Sequence, residues 1–509
     1  MDPTPMWLVF HCMRQWPFLV ALSQSTNIET LMTIDRILVS VAPGEKRIAS
    51  LAKGQLVDLR FERNCRPSLF GNIVIGRVQA LLNNLQAAFI DIGEEKSGYL
   101  EISDARPHDA TSKDKIGDYL IEGETILVQI TRDPVGEKGA KLTLKPVLSG
   151  YFLVFTPNQP KLKISNQILD PKERDRLKQI MDIKKTDLDG FIIRTSAQKS
   201  TAAEIIKEAT RLELEWNEIQ KKFSSSSPPR TLRQSVPLTQ KLLIDHGRMD
   251  LRNLLTDDPE TFKQLQTFTT TEMPDLSGLI QLYKGKEPLF RAESIEEVIE
   301  AAGEELVPLP SGGNIIINET SGLVCVDVNT GDTDQFSHEQ MLRSINNEAA
   351  KVFAQQVRLR NLSGLMVIDF LKMKNKRHKL DVLKTLRRAI KSDPQPTFVS
   401  GYTQFGLVEI TRQRKGLSFS SVMHGKPAIP SKSPLTTCLE ALRRVLEESR
   451  ISPASFFVVK LAKKNLVLLE TELSSALAET KERLGGNLEL IGSQTIEQDK
   501  YEIHGKKTK

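Results

Sequence analysis

From Met32 to about Gly150 the chain runs in short stretches of alternating apolar and polar positions. RILVSV, LVDLRFE, GNIVIGRVQAL, QAAFIDIG, SGYLEI and ILVQIT are rich in β-branched and aromatic residues and are separated by Gly, Asn and charged turns. A period of two with such punctuation predicts strands, and a run of short strands predicts a small antiparallel barrel. From about residue 151 to 223 the pattern mixes types. YFLVFT and GFIIRTS read as strands, whereas PKERDRLKQIMD and TAAEIIKEATRLELEWNEIQKKF carry apolar residues at helical spacing. SSSSPP, Ser224 to Pro229, reads as a linker or loop. Helices are expected near Leu238–Leu255 and Ser294–Ala302. From Leu309 to Gln413, GGNIIINET, GLVCVDVNTG, GLMVIDFLKM, TFVSGYT and GLVEITRQR are expected strands. Between them His338 to Leu359 presents Met341, Ile345, Ala349, Val352 and Phe353 on one helix face. That alternation predicts an α/β unit. After a Pro/Ser-rich stretch, Lys426 to Pro434, a smaller α/β tail extends to Tyr501.

Length changes the picture first. At 509 residues and roughly 150 per domain, three to four domains are expected. The fold class is multidomain, α/β and α+β. With 39% apolar and 26% charged residues, collagen, coiled coil and bulk disorder are excluded. No uninterrupted run of about 20 apolar residues is present, so no integral membrane segment is expected. The net charge of +6 permits an anionic partner without requiring one. Cys12, Cys65, Cys325 and Cys438 are scattered, with no C-x-x-C pair. That disfavours a disulfide scaffold and a local zinc finger, and fits a reducing cytosol. Cys325 lies in an apolar strand pattern and is expected in the core. Residues 1–31 read as an N-terminal extension ahead of a natural start at Met32. Their apolar runs, split by His11, Arg14 and Gln15, lack the marks of a signal peptide; a peripheral membrane anchor is the alternative.

The strands LVCVDVN (323–329) and LMVIDFL (365–371) carry the most telling chemistry. Side chains alternate faces along a strand. Leu323, Cys325, Asp327 and Asn329 therefore share one face, as do Leu365, Val367, Asp369 and Leu371. Each strand is apolar enough to be central, yet each ends in an aspartate. Two carboxylates brought together repel, and a hard divalent cation resolves the repulsion. Mg²⁺ is usually held by one or two carboxylates with waters and substrate phosphate. The alternative is local: Asp327 starts an Asx turn in NTGD and Asp369 caps a following helix. An EF-hand is excluded, because Asp332 and His338 stand where the loop needs Gly and Glu. After Asp369 comes KMKNKRHKLDVLKTLRRAIK, basic but for Asp381. Beside a metal site it suggests a polyanionic substrate; alone it is a solvated helix face. RLR (358–360) and RQR (412–414) add positive charge nearby. In the barrel, Phe89 and Tyr99 fall on consecutive strands near Arg77, Lys96 and Lys138, a stacking platform suited to single-stranded RNA, unless Phe89 is core. Phosphate-loop, nucleophile-elbow and H-E-x-x-H motifs are absent.

QAAFIDIGEEKSGYL (86–100), GFIIRTS (190–196), LPSGG (309–313), GLVCVDVNTGD (322–332), EAAKVFAQQVRLRNLSGLMVIDF (348–370) and FGLVEITRQR (405–414), in this order, resemble the RNase E/G family of bacterial endoribonucleases. The match runs from Met32 onward. With no long polar tail, the chain is more similar to the RNase G branch or to the catalytic half of RNase E. The resemblance implies an RNase H-like domain (32–67 and 238–302), interrupted by an OB-fold RNA-binding domain (68–144) and a 5′-sensor region (145–237). A DNase I-like catalytic domain (303–424), a linker (425–434) and a small domain (435–509) follow. It further implies that Asp327 and Asp369 are magnesium ligands, with Mn²⁺ able to substitute, and that Asn329 supports catalysis. Phe89, Tyr99 and Lys138 would grip RNA. Val154, Arg194 and Thr195 would form a pocket for a 5′-monophosphate. The expected partners are single-stranded RNA and further copies of the chain, and the expected location is cytoplasmic. Three positions depart from the family. SVMHGKPAIPSKSPL lacks the cysteines of a zinc link, so structural Zn²⁺ is not expected. Lys372 replaces an acidic residue after the second metal aspartate. Pro396 stands where the sensor pocket has an arginine. The alternative function is non-catalytic RNA binding through the OB-fold.

Overall fold

Among the described residues the short alternating runs assemble into five sheets. The computed structural model describes residues 34–65, 67–107, 114–134, 138–182, 189–247, 251–320, 322–331, 338–391, 393–414, 416–424, 432–451 and 456–506. The N-terminal extension and most of the expected linker lie outside them. The chain divides into two units. One comprises Ser68–Met249 with Thr267–Ser277, and the other comprises the remainder.

In the first unit, strands Ile73–Leu82, Ala87–Asp91, Gly98–Glu101, Lys141–Thr143 and Thr125–Arg132 pair in that order. Ile73–Leu82 also pairs with Thr125–Arg132, closing a five-stranded, OB-like barrel. Val74, Ile90, Leu100, Val128 and Leu142 fill it. Closure leaves Gly139 against Ser97, whose carbonyl oxygen would sit 1.9 Å from an added Cβ, so only glycine lets the chain pass there. Ser224–Pro229 proves to be a short connection. The helix Ala202–Ser225 runs into it, and Arg230–Arg233 then joins the barrel sheet beside Ile73–Leu82. A second sheet orders Leu162–Ile164, Gly190–Ile193, Leu153–Thr156 and Leu148–Ser149.

Among its described residues the second unit holds three sheets. One has five strands, Ile280–Leu282, Asn253–Thr256, Arg36–Ala42, Glu45–Ala52 and Gln55–Arg63. Here the expected helix near Leu238–Leu255 is corrected: it ends at His246, and Asn253–Thr256 is a strand parallel to Arg36–Ala42. Pairing across more than 200 residues overrides the local apolar spacing. A six-stranded sheet orders Leu306–Pro308, Asn314–Glu319, Leu323–Asn329, Gly364–Asp369, Val408–Arg412 and Thr397–Tyr402. The third sheet sets Phe456–Ala462 between Leu488–Ser493 and Tyr501–Lys506. Among the described residues no helix is long and apolar enough to cross a membrane.

Candidate active site and RNA-contact surfaces

The six-stranded sheet is covered on one face. Val324, Val326, Val328, Met366, Ile368, Val408 and Ile410 form one apolar cluster with residues of the helices His338–Leu359 and Lys376–Ile390. The intervening side chains form the other face, where Cys325, Asp327, Leu365, Asp369 and Glu409 are exposed. Cys325 is thus not a core residue. Its strand is buried on one side only, and Cys325 is on the open side. Leu323–Asn329 and Gly364–Asp369 pair in parallel with Asp327 directly opposite Asp369, on backbones about 4.8 Å apart. Asn329 Nδ2 donates to Asp327 Oδ2 (3.2 Å) and to Asn314 Oδ1 (3.3 Å). The two aspartates face each other on an open surface, and one is oriented by an amide. Among the described residues no third His, Cys, Asp or Glu joins them in a metal-ligating group. That donor set suits Mg²⁺, which completes its octahedron with water and phosphate oxygens, and falls short of a structural zinc site.

Asp369 does not cap the following helix. Asn375 does, its side chain accepting from the Arg377 N–H at 2.9 Å. The chain leaving Asp369 is instead clamped by two residues of the His338–Leu359 helix. Buried Asn346 donates to the Leu371 carbonyl (2.9 Å) and accepts from the Leu371 N–H (3.0 Å). Glu339 accepts from the N–H groups of Lys374 (3.1 Å) and Asn375 (3.0 Å). The Asn375 bond heads the causes that hold the Glu339 carboxyl below its usual range. Sequence alone does not single out Asn346; its signal is an asparagine set beside Ile345 and Ala349 on a buried helix face. Removing it strands two backbone groups, at about 1–3 kcal/mol each. Asn346→Ala is therefore expected to destabilise this unit by about 2 kcal/mol or more, which the midpoint of a denaturant melt checks.

The arginine motifs are corrected in part: Arg358, Arg360 and Arg412 are buried and offer no charge to a substrate, whereas Arg414 is exposed. Arg412 is held by Asp393 and Asn361, and Arg360 donates to Gln356. Burial lowers Arg360 to about 10. The basic run is also redistributed. Only its first residues, Lys372 and Lys374, extend from the end of the Asp369 strand. The remainder is the helix Lys376–Ile390, which packs on the covered side of the sheet through Val382, Leu383, Leu386, Ala389 and Ile390.

In the barrel, Phe89 and Tyr99 are register partners, with ring centroids 6.0 Å apart. Phe89 is exposed on the outer side of a strand whose inward residues are Ala88 and Ile90, so it is not core. Tyr99 lies beside Lys141. Lys138 is exposed three residues earlier, just before the tight passage at Gly139.

Of the residues expected to hold a 5′-phosphate, Val154 lies in the strand Leu153–Thr156, and Arg194 and Thr195 directly follow the neighbouring strand Gly190–Ile193. Val154 pairs with Ile192, and the Arg194 N–H donates to the Phe152 carbonyl (2.8 Å). Arg194 Nη1 donates to the Gly150 carbonyl (3.0 Å) and Nη2 pairs with Asp245. Thr195 Oγ1 lies 3.0 Å from Ser165 Oγ and donates to Gln167 Oε1 (3.1 Å). The loop that receives Arg194 is shaped from behind. Buried Glu208 accepts from the N–H groups of Tyr151, Phe152 and Leu153 at 2.6–2.8 Å. A Cβ at Gly150 would lie 2.6 Å from the Glu208 carboxyl carbon. Burial raises the Glu208 pKa against the pull of those donors.

A family model described as Ribonuclease E/G family matches residues 147–415. That span contains Val154, Arg194, Thr195, Asp327, Asn329 and Asp369. Ribonuclease G of Escherichia coli K12 is 32% identical over 485 residues, 92% of this chain and 99% of that protein. This chain belongs to the Ribonuclease E/G family. Ribonuclease G of Haemophilus influenzae is 31% identical, covering 92% of this chain and 98% of its own length. Ribonuclease E of Escherichia coli K12 is 32% identical over 399 residues, 76% of this chain but 38% of that protein. In this Ribonuclease E/G chain Lys372 and Pro396 are both exposed, and the stretch from Gly425 to Ser431 lies outside the described residues.

Proposed function

We propose that this chain is a Mg²⁺-dependent endoribonuclease that cuts single-stranded RNA and favours a 5′-monophosphorylated end. The observation that carries the reading is the register of Asp327 against Asp369 on the open face of the sheet. Pure RNA binding has no use for two facing carboxylates, which repel each other and the phosphates. Asp327 and Asp369 would hold the ion, which when bound polarises the phosphate and lowers the pKa of a coordinated water. Asn329 keeps the Asp327 carboxylate turned by donating to one of its oxygens. Hydrolysis at this face leaves a 5′-phosphate and a 3′-hydroxyl. On the barrel, Phe89 and Tyr99 supply ring faces for unpaired bases, and Lys138 supplies a charge for the phosphate chain.

The phosphate pocket has its components but not a free fork. Thr195, Ser165 and Gln167 gather polar groups beside Arg194, while Asp245 already takes one guanidinium nitrogen. A 5′-phosphate must exchange with Asp245, and Pro396 contributes no second guanidinium. The preference is therefore expected to be modest.

The test is cleavage of a short A/U-rich RNA, 3′-labelled and carrying a 5′-monophosphate, triphosphate or hydroxyl, in Mg²⁺, Mn²⁺ or EDTA. Cutting in both metals, none in EDTA, and the fastest rate on the monophosphate are expected. Undiminished cutting in EDTA removes the metal assignment, and equal rates on the three ends remove the sensor. Tight binding with no cutting in any condition makes the protein an RNA-binding module.

A further inference from the structure

The charge of the chain is concentrated in one place. Residues 372–391 hold nine lysines and arginines against Asp381. Taking these from the chain's 70 basic and 64 acidic residues leaves 61 and 63, so this segment accounts for the whole positive balance. Eight of the nine are exposed. An ordinary solvated helix interleaves signs, as Ala202–Ser225 does with Glu204, Lys207, Arg211, Glu213, Glu215 and Lys221.

The helix Lys376–Ile390 sorts these charges geometrically. At 3.6 residues per turn, Arg377, Lys384, Arg388 and Lys391 fall within about a 60° arc and span about 21 Å. Asp381 lies about 20° beyond one edge of that arc and does not break it. Arg343 of the neighbouring helix pairs with it at 2.7 Å and holds its carboxyl below the usual range. The acid thereby fixes a further cation at the edge of the stripe. The opposite side of the helix is buried against the covered face of the sheet, so the stripe faces away from Asp327 and Asp369.

We infer that this stripe is a second RNA-contact surface, engaging the phosphate backbone of substrate at a distance from the cut. The inference rests on the aspartate pair being an RNA-cutting site. A positive row about 21 Å long with no carboxylate left unpaired complements successive phosphates rather than bases. Only an RNA long enough to run past the edge of the sheet touches both faces. The stripe therefore favours long transcripts over short oligonucleotides and is indifferent to sequence.

The test compares wild type with Lys384→Gln/Arg388→Gln/Lys391→Gln, each also in an Asp369→Asn background for binding. Affinity for a long structured transcript is measured across a salt series, with cleavage of a short single-stranded oligonucleotide alongside. The triple variant is expected to reduce the slope of log affinity against log salt by about two. Affinity for the transcript should fall at least tenfold at low salt, and short-oligonucleotide cleavage should be unchanged. An unchanged slope and affinity overturns the inference, as does an equal loss of short-oligonucleotide cleavage. Loss of binding to phosphatidylserine vesicles with the transcript slope intact also overturns it, in favour of a membrane surface. If wild type neither cuts nor binds RNA, the functional reading falls with it; if wild type cuts and binds while the variant matches it, the stripe alone falls.

Discussion

Asp369→Asn is expected to slow RNA cleavage by about a thousandfold or more, with RNA affinity near the wild-type value and no loss of thermal stability. Asp327→Asn should do the same. The magnitude follows from the chemistry assigned to the pair. A bound divalent ion supplies several kcal/mol of charge stabilisation at the phosphate, and each 1.36 kcal/mol is tenfold in rate. The amide keeps the shape of the carboxylate and removes its charge. Asp327 and Asp369 are exposed, so the substitution opens no cavity. Like charges directly opposite on neighbouring strands are destabilising, so losing one is expected to leave the melting temperature equal or slightly raised. A structural role predicts the reverse: a lower melting temperature and a modest effect on rate. Single-turnover cleavage, filter binding and a thermal melt on the same preparation separate the two, and wild-type cleavage by both variants would remove the metal assignment.

Much of this site was legible from strand alternation alone. Val324, Val326 and Val328 alternate with Cys325 and Asp327, and that pattern assigns both aspartates to one face of their strands. It could not show whether that face is covered. Cys325 reads as core if helices lie on both sides of the sheet, and it is exposed because they lie on one. Nor could alternation show register, since Asp327 and Asp369, 42 residues apart in the chain, meet only through the parallel pairing of their strands. Charge was the least legible feature. Arg358, Arg360 and Arg412 look identical in sequence to the arginines of the basic helix, yet their surroundings come from distant segments and bury them. Asn346 and Glu339 were invisible for the same reason. Their partners are backbone groups on another element, which no spacing rule anticipates.

Asp393→Ala is expected to destabilise the unit that carries the aspartates by about 3–5 kcal/mol, the usual cost of stripping one partner from a buried ion pair. The Arg412 and Asp393 side chains are 1% and 3% exposed. Arg412 Nε and Nη2 reach the two Asp393 oxygens at 2.6 and 3.1 Å, a two-pronged geometry that fits guanidinium to carboxylate. Nη1 donates to Asn361 Oδ1 and to the Leu362 carbonyl, both at 2.9 Å. The Leu362 bond ties Arg412 to the chain two residues before the strand that ends in Asp369, and Arg412 pairs with Gly364 in register. Without Asp393 the guanidinium remains buried with its charge uncompensated. Water must enter, or the start of that strand must move. Because the pair is sealed from solvent, added salt should not mask the effect, unlike that of a surface bridge. Replacing both partners with apolar residues, as in Asp393→Leu/Arg412→Met, removes the stranded charge and is expected to recover part of the loss. Denaturant midpoints followed by far-UV circular dichroism measure both variants. A single variant as stable as wild type would mean that Asn361 and Leu362 hold Arg412 unaided, and that the carboxylate is not what anchors this edge of the catalytic sheet.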